Sequence, residues 1–186
     1  ATPVALASTG VQRQRVARIC SPLNGSIPLR AGLLKERTVL LQLAHFCTKP
    51  CAPCRSMQRQ RKAGNLPLEP LLGVLPRLRD EGYGVIHLSE PLRYPRLAAF
   101  LAAAKAQGFR MTADCDGLLI TSRHRAEIET LDLVAISFDG AEASHNAMRG
   151  NSRVRGRAVA ALRYLAEIGT PSAAILTVTR KTLAEV

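Results

Sequence analysis

The chain has 186 residues, of which 47% are hydrophobic, so it can bury one substantial core. It carries 26 lysines and arginines against 14 aspartates and glutamates, and the net charge of +12 favours anionic partners. No apolar stretch is long enough to span a membrane, and residues 1–10 lack the basic start and long apolar segment of a secretory signal. We therefore expect a cytoplasmic protein with no membrane partner.

Composition also bears on nucleic acid as a partner. Aromatic residues make up only 4% of the chain and tryptophan is absent, so few side chains are available for bases to stack on. Basic residues cluster after residue 54 and again around residues 149–157, but such runs are usually solvated helix and loop faces. Nucleic acid therefore remains an alternative that is not favoured.

The pattern of the chain changes near residue 38. Residues 1–38 are interrupted by proline, glycine and arginine and predict a loosely structured N-terminal extension. In residues 39–186, apolar strand-like runs alternate with helical periodicity, the pattern of βα units around a parallel sheet. The predicted strands are residues 39–46, 84–88, 109–113, 133–138 and 173–179. The predicted helices are residues 68–81, 96–107, 122–130 and 155–168.

Three of the five cysteines, Cys47, Cys51 and Cys54, form a C-x3-C-x2-C array directly after the first predicted strand. Closely spaced thiols in a reducing compartment hold metal or do redox work more often than they form disulfides. A four-iron, four-sulfur ([4Fe-4S]) cluster on three cysteines would keep one iron open for a small molecule. A structural zinc with His45 or Cys20 as fourth ligand is the alternative.

Polar residues also follow the later predicted strands. Ligand groups collect at the carboxyl ends of parallel strands, so these residues should share one rim with the cysteines. The segments are Ser89-Glu90-Pro91, Cys115-Asp116-Gly117 and Asp139-Gly140, with Ser137 near the end of its strand. Within them, Cys115 is expected to be a buried small hydrophobe rather than a ligand.

These segments together resemble the radical S-adenosylmethionine (radical SAM) superfamily. Ser89-Glu90-Pro91-Leu92 stands where that superfamily has Gly-Gly-Glu-Pro-Leu, and Cys115-Asp116-Gly117 where Asn-Gly is usual. The stretch Ser137-Phe138-Asp139-Gly140, followed by His145 to Gly150, resembles the Ser-Leu-Asp-Gly and His-Asp-x-x-Arg-Gly pattern of the peptide-modifying branch, which includes sulfatase-maturing enzymes and quinone-cofactor maturases. The resemblance extends over residues 39–183.

The resemblance implies a fold and a chemistry. The fold is α/β, a partial (βα) barrel of parallel strands with outer helices, here truncated after about five strands. Cys47, Cys51 and Cys54 would hold the iron–sulfur cluster. With an electron donor, the cluster would cleave S-adenosylmethionine to a 5'-deoxyadenosyl radical that abstracts a hydrogen from the substrate, which in this branch is a peptide or protein.

The resemblance also assigns residues to the S-adenosylmethionine site. Ser89 and Glu90 match the motif that faces the methionine amino group, Ser137 the serine near the ribose, and Arg149 the arginine near the carboxylate. These pairings are chemically complementary: a carboxylate suits an ammonium, a hydroxyl a sugar, and a guanidinium a carboxylate. No catalytic side chain is assigned.

The sequence departs from the superfamily pattern in two places. Pro53 stands where an aromatic residue is usual, and Leu88 and Ser89 replace two glycines that permit close approach to a ligand. Two alternative functions therefore stay open. One is a zinc-stabilised module that binds an acidic partner, and the other is a degenerate relative that serves as a partner subunit without turnover.

Overall fold

The computed structural model describes residues 36–44, 51, 64–180 and 182–185. Most of the predicted N-terminal extension lies outside these residues. So do the array members Cys47 and Cys54 and the alternative zinc ligands His45 and Cys20. Within the described ranges, no helix has both the length and the apolar composition needed to cross a membrane.

Among the described residues, five parallel strands form one sheet, and their order in the sheet follows their order in the chain. They are β1 (Arg37–Leu41), β2 (Tyr83–Ser89), β3 (Arg110–Cys115), β4 (Leu133–Ser137) and β5 (Ser172–Ile175). Parallel neighbours need a crossover connection, and helices supply it between successive strands from β1 to β5. The predicted α/β fold with the parallel strands of a partial barrel is confirmed.

Within the described part of the chain, five α-helices connect and cover the strands. They are α1 (Leu68–Asp80), α2 (Leu97–Ala106), α3 (Arg125–Glu129), α4 (Glu142–Arg149) and α5 (Val154–Glu167), with short 3-10 turns at Pro91–Arg93, Ser122–His124 and Leu183–Glu185. In α2, Leu97, Phe100, Leu101 and Ala104 are buried. This i, i+3, i+4, i+7 spacing places one apolar stripe against the sheet.

The two faces of the sheet differ because side chains alternate along each strand. One face packs against the helices and forms the hydrophobic core, with Ile86, Leu88, Met111, Ala113, Val134 and Ile136 among its strand residues. We call the opposite face the inner face. It carries Leu40, His87, Ser89, Thr112, Asp114, Ala135, Ser137 and Ala173. Polar side chains of the strands are thus concentrated away from the helices.

Two elements differ from the sequence predictions. β1 begins at Arg37, within the predicted extension, and ends at Leu41, although Leu43 and Ala44 beyond it are buried. Helix α4 was not predicted, because His145 is its one buried residue and its sequence has no apolar stripe.

Candidate functional site

The chain turns sharply where β2 ends. Glu90 follows Ser89 and has φ 48° and ψ 46°, the one positive φ among the described non-glycine residues. Its N–H donates to the main-chain oxygen of Asp114 at 2.9 Å, which fixes the turn against β3. The left-handed conformation costs a non-glycine residue about 1 kcal/mol, so contacts from the rest of the fold must hold it.

The Glu90 carboxylate lies in a small ion-pair network with Arg93 and Asp116. Its Oε1 accepts the N–H of Asp116 at 2.9 Å, and its Oε2 lies 3.5 Å from Arg93 Nε. Arg93 Nη2 also donates to Asp116 Oδ2 at 2.9 Å, and Asp116 is buried. The carboxylate that the motif predicts for the methionine amino group is therefore held in place from two sides.

A second network follows β4. Asp139 is buried, and its Oδ2 accepts hydrogen bonds from Arg149 Nε at 2.7 Å and Nη2 at 2.6 Å. Its Oδ1 accepts the N–H of Thr177 at 2.9 Å, and its own N–H donates to His145 Nδ1 at 2.9 Å. Asp139 thus joins the end of β4 to helix α4 and to the segment after β5.

The middle cysteine of the array lies beside this second network. Cys51 is partly buried, and its Sγ donates to the main-chain oxygen of Arg149 at 3.8 Å. In the described parts of the chain, no three His, Cys, Asp or Glu side chains are grouped to hold a metal ion. Cys47 and Cys54 lie outside those parts, so the complete predicted ligand set stays a prediction.

The two predicted serines lie at the ends of their strands, on the inner face. Ser89 ends β2, and its Oγ donates to Asp114 Oδ2 at 3.2 Å. Ser137 ends β4 and is buried. The sequence therefore located both serines correctly, while their contacts with S-adenosylmethionine remain predictions.

Sequence reasoning missed a polar cluster on the inner face. His87 Nε2 contacts Asp114 Oδ1 at 2.9 Å, and His87 Nδ1 contacts Thr112 Oγ1 at 2.9 Å. The alternation along β2 and β3 places these side chains on one face, but their pairing depends on register. Asp114 could have been noticed as an aspartate inside an otherwise apolar strand.

Cys115 behaves as predicted. It is buried on the helix side of β3, and burial raises the pKa of its thiol well above the usual 9.0. The nearby carboxylates of Glu90, Asp114 and Asp116 raise this pKa further. The thiol therefore stays protonated at neutral pH and is unsuited to bind a metal as a thiolate.

The N-terminus of α4 receives a carboxylate from distant sequence. Glu185 Oε2 accepts the N–H of Ala141 at 2.8 Å, and Glu185 Oε1 accepts the Ser144 hydroxyl at 2.6 Å. The hydrogen bond from Ser144 lowers the pKa of Glu185 below its usual 4.5, and the hydrogen bond from Ala141 lowers it by a smaller amount. An acid at a helix N-terminus also interacts favourably with the helix dipole.

Structures of SuiB from Streptococcus suis have the same arrangement of strands and helices. One SuiB structure gives a TM-score of 0.67 at 15% identity, and the match covers 80% of this chain and 34% of SuiB. The chain shares its fold with about a third of SuiB. SuiB bound to S-adenosylmethionine gives 0.66 at 16% identity, covering 80% and 35%. SuiB bound to precursor peptide SuiA gives 0.65 at 15%, again covering 80% and 35%.

The likeness to SuiB is limited in coverage and in sequence identity. The chain spans about a third of the SuiB chain, and at this identity the likeness establishes the fold. No protein-family model and no curated protein matches the sequence. The comparison therefore shows a shared fold, and SuiB, which contains this fold, has been crystallised with S-adenosylmethionine.

Proposed function

We propose that the chain is the core of a radical SAM enzyme that acts on a peptide or protein. The observation that carries this proposal is the contact of 3.8 Å between Cys51 Sγ and the main-chain oxygen of Arg149, which are 98 residues apart in sequence. It brings a cysteine of the predicted cluster loop to the arginine predicted for the S-adenosylmethionine carboxylate. The two residues belong to separate sequence motifs, and they are in contact in a chain that shares its fold with part of SuiB.

The cysteines are suited to an iron–sulfur cluster. Cys51 is partly buried beside the main-chain oxygen of Arg149, whereas Cys115 is buried and protonated. We therefore assign the cluster to Cys47, Cys51 and Cys54. When bound, such a cluster supplies the electron that splits the sulfonium of S-adenosylmethionine, and the resulting 5'-deoxyadenosyl radical abstracts a substrate hydrogen.

The charged residues can serve S-adenosylmethionine and their internal partners at once. Arg149 contacts Asp139 through Nε and Nη2, and a guanidinium has five N–H donors, so further donors can bind the methionine carboxylate. A carboxylate such as Glu90 has about four acceptor positions, which allows an ammonium beside Asp116 and Arg93. Ser89 and Ser137 complete the proposed site.

The partners follow from the proposed chemistry. SuiB has been crystallised with a precursor peptide, which supports a peptide substrate for a chain of the same fold. Reduction of the cluster requires an electron donor. We propose that the protein works in the cytoplasm, where thiols and clusters are kept reduced.

Anaerobic reconstitution tests this function. The chain should bind about four iron and four sulfide per molecule and, with dithionite and S-adenosylmethionine, release 5'-deoxyadenosine. Cys51→Ala should lose iron and sulfide, while the matched Cys115→Ala should keep both. Stoichiometric zinc in a colourless, folded sample would instead support the zinc-stabilised module.

The S-adenosylmethionine site has its own test. Arg149→Ala should weaken S-adenosylmethionine binding about tenfold or more, with iron content unchanged, because a charge pair is lost. The exposed Arg153→Ala changes the net charge equally and should bind normally. Equal affinities in the two variants would reject the role assigned to Arg149.

A second candidate is a partner subunit that keeps the fold but does not turn over. It is favoured by the residues that replace the two glycines of the motif. Leu88 is fully buried, and Ser89 is hydrogen-bonded to Asp114. A reconstituted cluster that yields no 5'-deoxyadenosine would support this candidate over the first.

A further inference from the structure

The polar cluster on the inner face consists of His87, Ser89, Thr112 and Asp114, and we call it the inner-face cluster. In the sheet, His87 is in register with Thr112 and Ser89 with Asp114, so the four residues occupy two adjacent rows. His87 contacts Asp114 and Thr112 at 2.9 Å each, and Ser89 contacts Asp114 at 3.2 Å. The side chains of His87 and Asp114 are 27% and 30% exposed, so both can meet a ligand.

The hydrogen bonds hold the Asp114 carboxylate of the inner-face cluster at both oxygens. A carboxylate oxygen only accepts, so His87 Nε2 donates to Asp114 Oδ1. His87 Nδ1 contacts the Thr112 hydroxyl, which can donate or accept. Asp114 is the acidic residue of the cluster. His87 and Ser89 use two of its roughly four acceptor positions, and the others remain available.

Asp114 differs from the other aspartates near the strand ends. Asp116 is paired with Arg93, and Asp139 with Arg149. No lysine or arginine in the described ranges forms an ion pair with Asp114, although the chain has 26 such residues. A half-buried carboxylate with no lysine or arginine beside it among the described residues can attract a cation more strongly than one fully in water.

Small and apolar residues surround this carboxylate on the inner face. Ala135 is in register with Asp114 on β4, and Ala173 continues the same row on β5. On the other side, Leu40 is in register with His87 and is 63% exposed. An apolar surface around one carboxylate suits a side chain with an aliphatic stem and a cationic head.

We propose that Asp114, positioned by His87 and Ser89, binds a guanidinium group of the substrate. The inference rests on the proposed function for treating the inner face as the substrate side, and it narrows the substrate to an arginine-bearing peptide. Guanidinium fits better than ammonium because it is less strongly hydrated and its planar fork matches a carboxylate held at both oxygens.

Ligand-observed NMR tests the site on the full chain, prepared anaerobically and kept without reductant. The probe is acetyl-Gly-Arg-Gly-amide, and the control is the same peptide with citrulline, the neutral isostere of arginine. The arginine peptide should receive saturation from the protein and the citrulline peptide should not. Labelled histidine should locate the binding through a shift of the His87 ring nitrogens, while the buried His145 stays unchanged.

Variants distinguish a specific role of the Asp114 carboxylate from an effect of the net charge of the protein. Asp114→Asn should weaken binding of the arginine peptide about tenfold or more, since the substitution removes the charge and keeps the shape of the side chain. Asp80→Asn, at the exposed end of α1, changes the net charge equally and should have no effect. Asp114→Glu keeps the charge and should keep the preference for arginine over citrulline.

Three results would overturn the proposal. They are equal binding of the two peptides, unchanged binding in Asp114→Asn, and displacement of the arginine peptide by S-adenosylmethionine, which would assign Asp114 to the methionine ammonium. The peptide comparison needs no variant, so it decides even if Asp114→Asn does not fold. Arginine binding in a chain that makes no 5'-deoxyadenosine would reject the proposed function and leave this site intact.

Discussion

Asp139 and Arg149 form a buried ion pair in which Nε and Nη2 of the arginine both lie within 2.7 Å of one carboxylate oxygen. In Arg149→Ala, that carboxylate would stay buried and keep the hydrogen bond from the Thr177 N–H, but it would lose its arginine partner. We expect the free energy of unfolding to fall by about 3 kcal/mol, measured by urea denaturation.

The control for this loss is an ion pair of the same type on the surface. Arg125 lies 2.7 Å from Glu129 at i, i+4, and both side chains are exposed. Arg125→Ala should therefore cost much less than Arg149→Ala, because water screens the pair. If the two variants lost similar amounts of unfolding free energy, the conclusion that Asp139 and Arg149 form a buried, stabilising ion pair would be wrong.

Glu185 should make the stability of α4 depend on pH. Its pKa is lowered in the folded protein, so its contribution is present above pH 4.5 and is lost as pH falls through the lowered pKa. Glu185→Gln should therefore be less stable than the parent at neutral pH and equal to it in acid. Thermal unfolding from pH 7 to pH 3 measures this.

The exposed Glu167→Gln removes the same charge at the end of α5 and serves as the control. The difference in stability between this control variant and the parent should not change between pH 7 and pH 3. If Glu185→Gln were as stable as the parent at pH 7, the cap at the N-terminus of α4 would be refuted.

A side chain added at Gly117 should destabilise the folded protein. Its φ is +83°, and an added Cβ would lie 3.1 Å from Ala158 Cα and 3.2 Å from Ala161 Cβ, both on α5. Gly117→Ala should cost about 2 kcal/mol through backbone strain and overpacking. Gly156→Ala, inside α5 with no atom within 4 Å, should instead stabilise by about 0.5 kcal/mol. Urea unfolding of both variants tests the contrast.

The two described cysteines should react differently with iodoacetamide. Burial raises the pKa of Cys115, and the thiolate is the reactive form, so native protein should leave this residue unmodified. Cys51 is partly exposed and should be alkylated in metal-free protein. Peptide mass mapping before and after urea denaturation measures both sites, and rapid native modification of Cys115 would disprove its burial.

Sequence periodicity predicted the existence of all five strands but not their ends. The apolar run of β3 stops at Ala113, whereas the strand continues to Cys115 because Asp114 pairs with β2 and β4 neighbours. The apolar run of β5 continues beyond Ile175, where the strand ends, and the Thr177 N–H binds Asp139 instead of another strand. Both ends depend on contacts that are distant in sequence.

The motifs placed Ser89, Glu90 and Ser137 at the ends of β2 and β4, where the structure has them, but did not indicate their internal partners. The pairing of Arg93 with Asp116 and of His87 with Asp114 requires the register of β2 against β3, which no local pattern specifies. Helix α4 was missed for a similar reason, because Glu185 and Asp139 stabilise it from outside its own sequence.

The agreement between strand order and chain order has a consequence for how the protein is made. Each strand pairs with the strand synthesised just before it, so the sheet can grow one βα unit at a time as the chain leaves the ribosome. A sheet whose central strand arrives late must leave an apolar gap during synthesis, with the attendant risk of aggregation. This topology has no such waiting step among its five described strands.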